Sequence, residues 1–76
     1  MDLTSLSRAL AVIGAALGAF GAALGISLIG SKAMDAIARQ PAEKKDIRTN
    51  MILMAALIEG LAFFVAIIAL LVIFSK

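Results

Sequence analysis

Two long stretches almost without charge, parted by a short polar segment, constrain this chain more than any other feature. Residues 9–31 contain no Asp, Glu, Lys or Arg, and the stretch from Met51 to Ser75 contains one, Glu59. Each exceeds the roughly 20 apolar residues that carry an α-helix across the hydrocarbon of a bilayer. Lipid offers no hydrogen bonds, so a spanning segment must satisfy its own backbone, and a helix does so within itself. The expected fold class is therefore all-α: a transmembrane helical hairpin, two helices joined by a short polar loop.

A soluble fold fails on composition. Of the 76 residues, 63% are hydrophobic, against roughly 45–50% in globular domains. A soluble domain this small needs staples, and the chain has no Cys or His to form a disulfide or hold zinc. The net charge of +2 is no nucleic-acid footprint, because the charges gather in the gap between the apolar runs.

In chain order, Met1 to Arg8 carries one positive side chain, and the 23-residue run behind it is too long for a signal-peptide core. The N-terminus is read as mature. A single hairpin is expected over 1–76, with helix 1 at about 5–38, the loop at about 39–43 and helix 2 at about 44–75. Pro41 disfavours helix at Gln40, and the acid of Glu43 suits the start of helix 2. Residues 32–48 hold five Lys/Arg, and the distal ends only Arg8 and Lys76. By the positive-inside rule the loop is cytoplasmic and both termini lie opposite. The segment from Gly25 to Lys32 has a faint phosphate-loop look, but its order is wrong and no strand precedes it.

The two runs differ. The first holds five of the six glycines, and Gly-Ala-Ala-Leu-Gly occurs at 14–18 and again at 21–25. Gly14, Gly18, Gly21 and Gly25 thus recur at helical spacing, a seam along which another helix can approach closely. Small residues also alternate at Ala19, Gly21, Ala23, Gly25 and Ser27, spreading the small surface over a broad face. In the second run Ala55, Glu59, Ala62, Ala66 and Ala69 follow one another at spacings of four and three, which predicts the carboxyl on a close-packing stripe. Counting from a loop apex near 42, Glu59 falls level with Gly25. Ala22, Ala23, Gly25, Ile26 and Ser27 are expected to flank it across the hairpin, with Ala55 and Ala62 beside it on its own helix.

An acid at the centre of a membrane helix costs roughly 2.5–3.5 kcal/mol on insertion scales. A Leu would serve the fold better, so Glu59 is the candidate functional group. A lone carboxyl, with no His, Cys or second membrane acid, excludes nucleophilic triads, glycosidase pairs and metal sites. It can take up and release a cation. A dry surrounding favours the neutral acid, and a nearby Arg or water favours the carboxylate. One hairpin offers neither a pore nor a counter-ion at that depth. Many identical copies side by side, and a cation from another subunit, are implied.

With these features the chain resembles the c subunits, or proteolipids, of F-type ATP synthases. The resemblance is carried by the alternating small residues Ala19 to Ser27, by Ala38-Arg39-Gln40-Pro41 in the loop, and by a carboxyl 20 residues after that Arg, Glu59. It implies a homo-oligomeric ring turning against subunit a, which supplies an Arg to Glu59. It also implies a loop, Arg39, Gln40 and Pro41, that meets the central stalk subunits gamma and epsilon. The chain itself would catalyse nothing and need no cofactor or metal; its cargo is H⁺. Sodium-carrying relatives resemble one another in polar ligands at positions matching Ile26, Gly60 and Leu61 here, where no side-chain oxygen stands, so protons are expected. The family often has Gly where Ala19, Ala23 and Ser27 stand, which bears on ring size. The setting implied is an energy-transducing membrane, the bacterial plasma membrane, with lipid around the ring. The other readings of such a hairpin are a small homo-oligomeric channel and an assembly hairpin bound to a larger membrane partner. A channel would carry polar residues along one whole face, and only Glu59 interrupts the second run.

Overall fold

A computed structural model describes residues Asp2 to Ser75. Met1 and Lys76, the latter counted in the charge asymmetry, lie outside the described residues. Helix α1 spans Leu3–Arg39, a 3₁₀ turn spans Pro41–Glu43, and helix α2 spans Lys44–Ile73. The all-α hairpin expected from the two apolar runs is the observed architecture.

Local chemistry sets each end. Asp2, in extended backbone, accepts a 2.7 Å hydrogen bond from the Ser5 amide. This caps an otherwise orphan N–H and starts α1 two residues earlier than the composition suggests. At the other end the ring of Pro41 crowds the preceding residue out of the α region. Gln40 accordingly sits at φ −132°, ψ 74°, yet its own amide still donates to the Ala36 carbonyl at 2.9 Å. Pro41 then occupies the first position of the 3₁₀ turn, where its missing N–H costs nothing. The Glu43 amide closes that turn on the Gln40 carbonyl at 3.0 Å, and α2 begins at once. Reversal is thus achieved in about one turn of tight helix.

The molecule is a rod, 58 × 16 × 7 Å. At about 1.5 Å per residue, the 37 residues of α1 run nearly the whole long axis. A hydrocarbon core is about 30 Å thick, so the loop end, charged from Lys32 to Arg48, projects beyond it. At the opposite end the Arg8 guanidinium donates to the Ser75 carbonyl at 3.4 Å, tying the two distal ends together.

The helices meet along alternating bulk and absence of bulk. Val65 fills the space above Gly18, where an added Cβ would lie 2.9 Å from its Cγ1, and Ile58 fills the space above Gly25, 3.4 Å from its Cδ1. Between these levels Ala22 is buried, as are Ala69 and Ala33 toward the two ends. Among the described residues those three alanines are the only buried apolar side chains. A single hairpin therefore hides almost none of its hydrophobic surface. Leu57, Leu61, Phe63, Phe64 and Leu71 each remain more than two-thirds exposed, which suits lipid or other protein and not water.

Candidate functional site

The face α2 turns to α1 is set by Met51, Ala55, Ile58, Ala62, Val65 and Ala69, all buried or half-buried. This differs from the alanine stripe read from spacing. Ile58 and Val65 belong to the contact face because α1 offers glycines for them to enter, whereas Glu59 and Ala66 stand outside it, exposed. One residue advances a helix by about 100°, so Glu59, next to the inward Ile58, points along one flank of the hairpin. Leu61, about 300° on from Ile58 by the same rule, points along the other.

That second flank carries an apolar groove, lined by Gly18, Gly21, Ala22, Gly25, Ile58, Leu61, Ala62 and Val65. Glu59 is not among its walls. The four-glycine seam is thereby divided. Gly18 and Gly25 receive α2, whereas a Cβ at Gly14 or Gly21 would meet nothing within 4 Å, leaving both open to an approach from outside.

The residues expected around Glu59 fall into two places. Ile58 against Gly25 puts the carboxyl at the depth of Gly25. Ala22, Gly25, Ala55 and Ala62 line the helix–helix contact itself. Ala23 and Ser27 are exposed and Ile26 half-buried, and helical phase puts these three toward Glu59's flank. Among the described residues no hydrogen bond or ion pair reaches Glu59. It lies well inside the apolar run, about eight residues or 12 Å beyond Met51. An acid held there on an outward flank can bind a cation when dry and release it when water or a counter-charge arrives.

The loop residues are exposed. Arg39 is held by Asp35 one turn earlier, 3.0 Å between Nη2 and Oδ2, an exposed pair that orients the side chain more than it stabilises the helix. Gln40 and Pro41 form the reversal described above. Lys44, Lys45 and Arg48 follow with Thr49 and Ile52 around a shallow hollow at the start of α2.

Gly60 counts in the sequence only as a position without an ion ligand, and the structure makes more of it. It is the one glycine of α2, and a Cβ there would meet nothing within 4 Å. Gly in a helix interior costs about 0.8–1 kcal/mol relative to Ala, and no contact inside the hairpin accounts for its presence. Its isolation in a Leu/Ile/Phe-rich run was the signal available from sequence.

Comparison with known proteins adds the family. Residues 9–72 match the family model of the ATP synthase C subunit. The chain is 58% identical to the ATP synthase c subunit of Bacteroides thetaiotaomicron over 64 residues, covering 84% of this chain and 75% of that protein. It is 53% identical to the Phocaeicola vulgatus protein of the same name, with 84% and 76% covered. With its counterpart from Ruminiclostridium cellulolyticum it shares 46% over 67 residues, covering 84% and 88%.

Proposed function

The chain belongs to the family of ATP synthase c subunits, and from that premise we propose that Glu59 is the group that carries its proton. Membership makes the chain a non-catalytic, proton-translocating subunit of the Fo rotor, working in a c-ring with other ATP synthase subunits. The observation that supports the assignment to Glu59 is its position: the one ionisable side chain of the apolar spans lies on a flank, exposed, instead of inside the hairpin.

On this reading identical hairpins stand side by side. The Glu59 flank of one copy meets the glycine groove of the next, so Gly14 and Gly21 admit the neighbour while Gly18 and Gly25 admit the chain's own α2. The carboxyl is neutral while lipid or a neighbouring helix covers it. It ionises where subunit a presents an Arg and water, then takes a proton again before moving back into lipid. A charge crossing the membrane field is worth about 2.3 kcal/mol per 100 mV, and this drives the rotation. The loop, with Arg39, Gln40 and Pro41, faces the cytoplasm and engages gamma and epsilon. The termini lie on the far side of a bacterial plasma membrane. No oxygen ligand for sodium stands at Ile26, Gly60 or Leu61, so the cargo is H⁺.

A protonated carboxyl adds to a hydrophobic carbodiimide, giving its proton to the diimide nitrogen and bonding through oxygen to the central carbon, and this gives the test. Labelling is expected at Glu59, falling as pH rises, with no protection by sodium. Glu59→Gln is expected to abolish proton-driven ATP synthesis while rings still assemble. Protection by sodium, or synthesis that survives in the Gln variant, would falsify the assignment.

A further inference from the structure

We infer that Gly60 is a positioning residue for proton transfer: it keeps the outer face of α2 low beside Glu59, so that a cation on a facing helix of another protein chain lies within reach of the carboxyl. The inference rests on the proposed role of Glu59.

Three observations lead there. The first is direction. Two steps from the inward Ile58 carry Gly60 about 200° around the helix, so it faces directly away from α1, and it is exposed. The second is relief. Leu53, Leu57 and Phe64, which share that outer side, are 58%, 73% and 68% exposed, making a ridge of large side chains. Gly60 breaks this ridge between Leu57 and Phe64, next to Glu59, and the small Ala56 one turn earlier extends the gap. The third is the absence of an internal use. A Cβ at Gly60 has open space around it, unlike Gly18 and Gly25, which α2 side chains enter. The hairpin would accept Ala there and form a better helix.

Charge names the occupant. Glu59 is the one formal charge of the apolar spans, and this chain places its cations at the loop and at the distal ends. A carboxylate formed at that depth needs a positive group from another chain. Small residues let helix backbones approach closely in a membrane, so a gap beside the acid shortens the reach of a guanidinium or ammonium on the facing helix. A side chain at Gly60 would hold that helix away and lengthen the ion pair.

Gly60→Ala and Gly60→Leu test this in the whole ATP synthase, both being strong helix formers, so that a loss does not come from helix propensity. ATP-driven proton pumping in inverted membrane vesicles is expected to fall slightly with Ala and by about tenfold or more with Leu, as misplacements near 1 Å do. Isolated rings of both variants are expected to assemble and to label with carbodiimide at Glu59 with the wild-type pH profile, because the carboxyl itself is untouched. Wild-type pumping by the Leu variant overturns the inference. So does failure of the ring to assemble, or a changed labelling profile, since Gly60 would then serve contacts between copies. Glu59→Gln in the same vesicles separates the two readings: if it still pumps, the role of Glu59 fails. If it is inactive while Gly60→Leu pumps normally, only the role of Gly60 does.

Discussion

At the scale of single residues, glycines at matching spacing do unlike things. Gly18 is a hole with an occupant: an added methyl would lie 2.9 Å from Val65 Cγ1, closer than carbon atoms settle. Gly14 and Gly21 have no such neighbour. Gly18→Ala should therefore force α1 and α2 apart and destabilise the hairpin by about 1–3 kcal/mol, the range of overpacking. Gly18→Ala with Val65→Ala should recover most of that loss, which heat or detergent denaturation of the assembled ring measures as a double-mutant cycle. Equal losses from Gly18→Ala in the presence and absence of Val65→Ala would show that the clash is elsewhere. This distinction was out of reach in the sequence. Spacing says that Gly14 to Gly25 lie along one side of a helix, but the rotation of that side relative to α2 depends on which bulky side chains find the holes. Ile58 and Val65 find them, and Glu59 is thereby turned outward to a flank. The solitary charge was plain in the sequence; its direction was not.

At the scale of elements, the hairpin was readable because bilayer thickness and backbone hydrogen bonding leave few alternatives for two apolar runs around a Pro. The ends were less so, since they depend on single hydrogen bonds. The cap on α1 is one. The Ser5 amide donates to Asp2 Oδ1 at 2.7 Å, and this hydrogen bond chiefly holds the Asp2 carboxyl below its usual range. A carboxyl whose folded value is depressed stabilises the fold above its unfolded value, near about 4, and loses that contribution as pH falls through the folded value beneath. The first turn of α1 should then fray on acidification below the ordinary carboxylate range, read as weaker protection of the Ser5 and Leu6 amides, which bond back to Asp2, after correction for intrinsic exchange. Asp2→Asn keeps an accepting oxygen and has nothing to titrate, so its first turn should hold through the same acid range. Fraying of the Asn variant at the same pH would assign the transition to some other group.

At the scale of the whole molecule, a rod with three buried alanines is half a structure, and its two flanks are unlike. One presents Glu59, the other the groove walled by Gly21 and Leu61. Surfaces that differ in this way pair head to tail, and a head-to-tail contact that closes makes a ring, whereas a two-fold contact joins like to like and stops at a dimer. The chain has no Cys, so introduced thiols report on this cleanly. Leu61 and Phe63 are both exposed and lie within one turn of each other on opposite flanks by helical phase. In membranes carrying Leu61→Cys together with Phe63→Cys, a short thiol-reactive cross-linker is expected to give a ladder of bands extending well past the dimer. Each single variant should give little product, because residue 61 of one copy faces the other flank of its neighbour. A strong dimer from Leu61→Cys alone would mean that groove meets groove. Glu59 would then lie away from the contact on both copies, and on the proposed reading the cover that keeps its carboxyl neutral would have to come from lipid alone.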